Sequence, residues 1–284
     1  MTPPTRVAYV VSAYKLPHQL ERLLRRLDAP GVTFTVHVDR KTRRRDYEEM
    51  AARTRDLDVH FLPRHICHWG AWGHVRATLR GIDRLVDDDV PFDYLALLTG
   101  QDYPLRSPAA IAASLGASGG RSFMSWWPLP RPQWGARGGR DRYEDWHVIT
   151  YRRAHLALPL RRSLPLGLTP YGGGPYWCLS RTLVDYVHGF VHENRAFVRF
   201  FEHVFIPDEL FFQTIVINSA LADTVENDNL RYLDWSREPA PVVLTRGDLD
   251  AIAASGALFA RKFDETVDAV ILDLLDARID GGSA

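Results

Sequence analysis

Val7-Ala8-Tyr9-Val10-Val11-Ser12-Ala13 is a short apolar run rich in β-forming residues. It lacks the polar alternation of a half-exposed strand, so it predicts a strand buried on both faces, as in a parallel sheet. Pro17 follows, and Leu20, Leu23, Leu24 and Leu27 then share one helical face, which predicts an amphipathic helix. The same alternation continues along the chain. Residues 34–38 predict a second strand ending at Asp39, 46–55 a helix, 59–62 a third strand and 73–86 a further helix. Residues 94–98 predict a fourth strand that runs into Thr99-Gly100-Gln101-Asp102. Ser107 and Pro108 supply a cap and a first-turn proline for the next helix. Strands alternating with helices predict an α/β fold around a mostly parallel sheet. Ligands of such sheets bind outside the carboxyl ends of the strands, which is where Asp39 and Asp102 fall. The first strand–helix junction, Ser12-Ala13-Tyr14-Lys15, has no glycine fingerprint, against a dinucleotide-binding or Walker-type site.

Composition narrows the function classes. The 284 residues are 46% apolar and 25% charged, with a formal net charge of zero. That is an ordinary globular balance with no global basic field for nucleic acid. Only Lys15, Lys41 and Lys262 among the 35 basic residues are lysines. The two cysteines, Cys67 and Cys178, offer neither metal-ligand spacing nor a disulfide framework, which fits a reducing compartment. Residues 6–13 are too short for a signal peptide, and no apolar run approaches about 18 residues. A cytoplasmic location is expected, with peripheral attachment to a membrane as the alternative.

Two later regions carry candidate chemistry. From Trp126 to Gly174 the chain is rich in Trp, Pro, Gly and Arg, which predicts long loops over a binding face. Aromatic rings there suit the C–H faces of sugars, although Trp also serves as a core anchor. Arg142, Tyr143, Glu144 and Trp146 are candidate acceptor contacts. Further on, Pro207-Asp208-Glu209 precedes the apolar Leu210-Phe211-Phe212. The bland interpretation is the start of a helix over 208–219, with acids facing the positive end of its dipole. The functional one is a carboxylate whose pKa is raised by apolar surroundings, as a general base requires. Helices are also predicted at 181–193 and near the C-terminus, where Val267, Val270, Ile271 and Leu274 are expected to share a face, and a strand at 230–235. Arg231, Arg237, Arg261 and Lys262 form a C-terminal group of cations suited to a diphosphate or simply to solvent.

Several ordered segments together resemble the family-14 glycosyltransferases, which comprise the core-2/I-branching β-1,6-N-acetylglucosaminyltransferases and peptide O-xylosyltransferases. They are Val36-His37-Val38-Asp39, Trp69-Gly70, Leu98 to Leu105, Gly172 to Arg181, Pro207 to Thr214, Asn229 to Trp235 and Phe259 to Asp264. The resemblance covers nearly the whole chain. It implies a GT-A-like, Rossmann-type α/β sandwich with a mostly parallel central sheet and a loop-rich acceptor region. One glycosyltransferase domain over 1–284 is expected, with a nucleotide-binding half at 6–125 and an acceptor-binding and catalytic half at 126–284. The implied reaction is inverting transfer of GlcNAc or xylose from a UDP-sugar to a hydroxyl of a glycan, peptide or small molecule, without metal or other cofactor. Glu209 matches the family's base. Lys262 and Arg231, with Arg237 in reserve, match the diphosphate-binding positions, and Asp39 a nucleoside-side position. Asp102, Tyr103, Tyr176, Trp177, Asp208 and Trp146 are expected to line the donor and acceptor site. Xylosyltransferases carry an acidic residue before a tryptophan where this chain has Pro175-Tyr176-Trp177, which leaves the donor sugar open. The rival from another class is a carbohydrate- or nucleotide-binding module of the same fold without turnover.

Overall fold

The computed structural model describes residues 4–149, 155–236 and 241–282. Its first half runs β1 (Val7–Ala13), α1 (Pro17–Leu27), β2 (Thr33–Val38), α2 (Arg44–Arg53), β3 (Val59–Phe61), α3 (Gly73–Asp87), β4 (Tyr94–Thr99), β5 (Asp102–Pro104) and α4 (Pro108–Gly116). There follow β6 (Ser122–Met124), β7 (Trp127–Pro128), α5 (Arg140–Glu144), β8 (Trp146–Ile149), β9 (His155–Leu158), β10 (Tyr171–Gly172), β11 (Trp177–Ser180), α6 (Arg181–Glu193) and α7 (Arg195–Phe201). The chain ends with α8 (Phe211–Ile217), β12 (Val225–Glu226), β13 (Arg231–Leu233), α9 (Leu249–Ala254), β14 (Phe259–Arg261) and α10 (Val270–Asp280).

The α/β class expected from the alternation is what forms, in two compact units interleaved along the chain. The first comprises Met1–Leu62, Pro91–Gly120 and Leu230–Ala284. Its main sheet has the order β4-β1-β2-β3, parallel throughout. Residues of β1 and β2 are buried on both faces, the environment that the apolar run of β1 demands, whereas β2 buries Thr33, Thr35 and His37 along with its apolar residues. Tyr9 stacks on Phe34, with ring centroids 5.4 Å apart. A three-stranded sheet, β13-β14-β5, brings the C-terminal segment onto the strand that begins at Asp102. Ser107 caps α4 as expected, accepting from Ala110 N at 3.2 Å.

The second unit comprises Pro63–Val90 and Arg121–Asn229. It holds β12-β6-β11 and the two-stranded pairs β10-β7 and β8-β9. The stretch 126–174, expected as loops, therefore contains a hairpin and a short helix. Five phenylalanines from α7 and α8, Phe197, Phe200, Phe201, Phe211 and Phe212, form a chain of ring contacts.

Two sequence expectations are corrected. The helix predicted over 208–219 is broken. Pro207–Glu209 form a 3-10 turn, Leu210 leaves helical geometry with ψ −35 at φ −130, and α8 begins only at Phe211. The proline and the acids do open a helical turn, but it closes after three residues. At the C-terminus, Ile271 is buried while Val267, Val270 and Leu274 are exposed. The packed face of α10 is Ile271, Leu272, Leu275 and Ile279. Val267 lies before the helix, so counting periodicity from it set the wrong face.

Cys67 and Cys178 are buried thiols. Among the described residues, no helix is long and apolar enough to cross a membrane.

Candidate functional site

In the second unit, the carboxylate of Glu209 is held on a backbone that three separate segments brace. Ile206 N donates to Gly70 O at 2.8 Å, Phe205 N to Arg142 O at 2.8 Å, and Gly173 N to Glu209 O at 2.9 Å. Ile206 itself has φ +50, a costly conformation for a β-branched residue. It turns the chain into Pro207-Asp208-Glu209. At Gly173, a Cβ would stand 1.9 Å from Ser125 O. The glycine run therefore lets the backbone come close enough to bond Glu209. Gln213, fully buried on α8, donates to Gly174 O at 2.7 Å and fixes the same run from the other side.

Arg142, on α5, donates to Glu209 Oε2 at 2.7 Å. Its guanidinium lies flat against Trp134, 3.7 Å from the ring centroid, which fixes the donor by cation–π contact. Glu209 keeps a quarter of its side chain exposed. Burial, then the neighbouring Asp208 charge, pushes its pKa up to about 7, against the pull of Arg142. Burial likewise raises Asp208 to about 6, opposed by its backbone hydrogen bond and by Arg142. Two adjacent carboxyl groups thus titrate near neutrality beside one arginine, and the pair shares that charge. A half-buried carboxylate poised near pH 7 can take a proton from a hydroxyl.

The remaining candidates in this unit lie as follows. Trp177 is fully buried and packs on Phe212 at 5.3 Å. Tyr176 is also buried. Trp146 is partly exposed at the start of β8, its ring 4.5 Å from that of His203 and beneath the Arg162 guanidinium at 4.8 Å. Glu144 is held by Arg137 and Arg140.

The first unit gathers cations at the end of β14. Lys262 is flanked by Arg261 and by Lys15 from the β1–α1 junction. Burial and then those two charges lower its pKa, with Asp264 opposing. Asp264 pairs with Lys15 instead of with its sequence neighbour. Arg261 donates to Thr99 Oγ1 and stands 3.6 Å from Asp102 Oδ1. Asp102 is fully buried. Backbone bonds tie the group together: Phe263 N to Gln101 O at 2.9 Å and Leu244 N to Lys262 O at 2.8 Å. The Gln101 side chain returns to Phe263 O at 3.0 Å.

Arg231 is buried, with its guanidinium on Leu97 O and against Phe259. Asp39 is buried, accepts from Lys41 N at 2.9 Å and faces Lys41 Nζ at 3.2 Å. Tyr103 is buried and turned toward α10, donating to Asp276 at 2.8 Å and accepting from Arg22 at 3.2 Å. Arg237 lies outside the described residues.

The sequence does not mark Lys15 as a neighbour of Lys262 or Arg142 as the partner of Glu209. Lys15 drew notice only for the missing glycines around it. Arg142 was one of four loose acceptor candidates, and nothing in its sequence neighbourhood ties it to Glu209, 67 positions away.

Comparison with known proteins places the chain in a family. Residues 7–252 match the model of the family described as Core-2/I-Branching enzyme. Glu209, Arg142 and Arg231 fall within the match, while Arg261 and Lys262 lie just beyond its end. Xylosyltransferase 2 of Homo sapiens is 27% identical over 308 residues, covering 98% of this chain and 34% of the relative. Xylosyltransferase 2 of Canis lupus familiaris is 26% identical over 305 residues, with the same coverage. Xylosyltransferase 1 of Homo sapiens is 24% identical over 294 residues, covering 96% of this chain and 30% of the relative. The chain thus spans about a third of the length of these relatives. With most of its length matched by the family model, the chain belongs to the Core-2/I-Branching enzyme family.

Proposed function

We propose that this chain is an inverting, metal-independent glycosyltransferase of GT-A-like fold that moves GlcNAc or xylose from a UDP-sugar to an acceptor hydroxyl. The observation that carries the proposal is the Glu209–Arg142 pair, a braced carboxylate with its pKa near 7. Glu209 accepts the proton of the acceptor hydroxyl as its oxygen forms a bond to the anomeric carbon. The bond from that carbon to the diphosphate oxygen breaks, and UDP leaves with the electron pair. Attack from the face opposite UDP inverts the anomeric centre.

Arg142 is a positioning residue in this mechanism. It aims Glu209 and restrains the rise of its pKa, which burial and Asp208 would carry further. Lys262, with Arg261 and Lys15 beside it, neutralises charge developing on the leaving diphosphate, the role that fixed cations serve in phosphate transfer sites. Arg231 links β4 to β14, donating to Leu97 O and lying against Phe259, next to the diphosphate-binding position proposed for it. The donor follows from two supports that differ: the similar relatives are named for xylose transfer, while Pro175-Tyr176-Trp177 departs from the xylosyltransferase pattern.

The deciding experiment is a UDP-release assay with a panel of UDP-sugars and hydroxyl acceptors, run on wild type and Glu209→Gln. Wild type is expected to turn over in EDTA. The variant is expected to lose about 10²-fold to 10⁴-fold in rate, the usual worth of a general base, while keeping its affinity for UDP. Acceptor-dependent release at the wild-type rate by Glu209→Gln would overturn the base assignment. UDP binding with no release by wild type would favour a non-catalytic module. Abolition of turnover by EDTA, in protein that circular dichroism shows still folded, would overturn metal independence.

A further inference from the structure

Away from both clusters, helices α3 and α6 of the second unit bring the ligand atoms of Asp83, His188 and His192 together, with Asp87 beside His188. Asp83 and Asp87 stand one turn apart on α3, and His188 and His192 one turn apart on α6. Side chains at this spacing share a helix face, so each helix offers two ligands to the other. His192 Nε2 lies 3.1 Å from Asp83 Oδ1. His188 Nε2 lies 3.2 Å from Asp87 Oδ1 and 3.5 Å from Asp83 Oδ1. Ligand atoms of Asp83, His188 and His192 are all within 4.8 Å of one another.

The three contacts, 3.1–3.5 Å long, fall at or just below the edge length of a coordination tetrahedron. Zinc–nitrogen and zinc–oxygen bonds of about 2.0–2.2 Å imply ligand atoms roughly 3.3–3.6 Å apart. A second observation points the same way. His188 Nε2 is buried and makes no hydrogen bond, although two carboxylates stand so near. A buried polar nitrogen left unsatisfied is costly, and a cation among the four groups would satisfy it.

We propose that Asp83, Asp87, His188 and His192 form a site for a divalent first-row transition ion of the zinc type, joining α3 to α6. Two imidazoles with two carboxylates are the ligand set that favours such an ion over magnesium or calcium. Arg195 competes with it. Its guanidinium donates to His192 Nδ1 at 3.2 Å, which requires Nε2 of that ring to carry the proton. Metal binding moves that proton to Nδ1 and turns the exposed arginine away. The site is structural and independent of the transfer reaction, so turnover is not its readout.

The test is titration of the intact chain at pH 7.5 with zinc alone and, in parallel, with cobalt(II), followed by calorimetry, visible absorption and thermal unfolding. Wild type is expected to bind one ion saturably, to give the absorption of tetrahedral cobalt without a thiolate charge-transfer band, and to melt at a higher temperature with zinc. His188→Ala and His192→Ala are each expected to weaken binding at least tenfold, and Asp83→Asn to weaken it less. Arg195→Ala is expected to tighten binding, a gain that loss of folding cannot mimic. Unchanged affinity in His188→Ala or in His192→Ala, a thiolate band, no tightening in Arg195→Ala, or no saturable binding by wild type would each overturn the proposal.

Discussion

Glu209 owes its candidacy to two opposing neighbours. Burial and Asp208 push its pKa up to about 7, and Arg142 pulls it down. A base acts only when deprotonated, so kcat/KM at saturating donor is expected to fall about tenfold per pH unit below about 7. Arg142→Ala removes the lowering influence, so the acid limb of that profile is expected to move to higher pH while the fold persists. Initial rates across pH 5–9 check both, and an unmoved limb in the variant would remove Arg142 from its positioning role. On the cationic side, Lys262→Ala is expected to weaken UDP binding about tenfold to a hundredfold, the worth of one charge-assisted bond, as measured by calorimetry. Legibility at this scale was uneven. Asp208 and Glu209 could be found because acids beside three apolar residues stand out in one stretch. Arg142 and Lys15 could not, because their partners are remote in sequence and the bonds exist only once the chain has folded.

At the scale of the element, β1 and β4 were legible because double-sided burial writes itself as a nearly unbroken apolar run, and β2 by its β-branched residues between turn signals. The boundaries of α6 followed from its sequence without correction. The helix over 208–219 failed for a physical reason. A proline and two acids satisfy the rules for a helix start, but the sequence does not display the left-handed turn at Ile206 or the departure at Leu210. Those are imposed by bonds to Gly70 and Gly173. The glycine run is accordingly a structural requirement. Gly173→Ala drives a methyl group into Ser125 O, and about 2–4 kcal/mol of stability is expected to be lost, in the upper range for single substitutions. Urea unfolding monitored by tryptophan fluorescence checks this. A loss within 0.5 kcal/mol would show that the segment relaxes without penalty.

For the whole molecule, the α/β class was legible in the alternation of elements, whereas the division into units was not. The compact units interleave, because β13, β14 and α10 return to the N-terminal sheet region while residues 63–90 leave it. The global stability also carries a trace of the site. The folded Glu209 holds its proton more tightly than the unfolded chain does, with a pKa of about 7 against an ordinary 4.5. That contribution is fully present below about pH 4.5 and is lost as pH rises through about 7. At pH 8 the charge therefore costs about 3 kcal/mol. Glu209→Gln, which keeps an oxygen for Arg142, is expected to melt several degrees higher than wild type at pH 8 and close to it at pH 5. Equal melting temperatures at both values would mean that the carboxylate is not destabilised.

The interleaving has a further consequence for synthesis. Three separate stretches build the first unit, and the last begins at Leu230. On the ribosome, β1 to β4 emerge early, yet the strand pairing of β5 with β14 must wait for residues some 155 positions downstream. Contacts of such long sequence separation form slowly. The second unit is complete once Asn229 emerges, so it can fold while the first is still open. A nascent chain arrested before Leu230 would thus present an apolar sheet without its C-terminal cover, a surface for chaperones to bind.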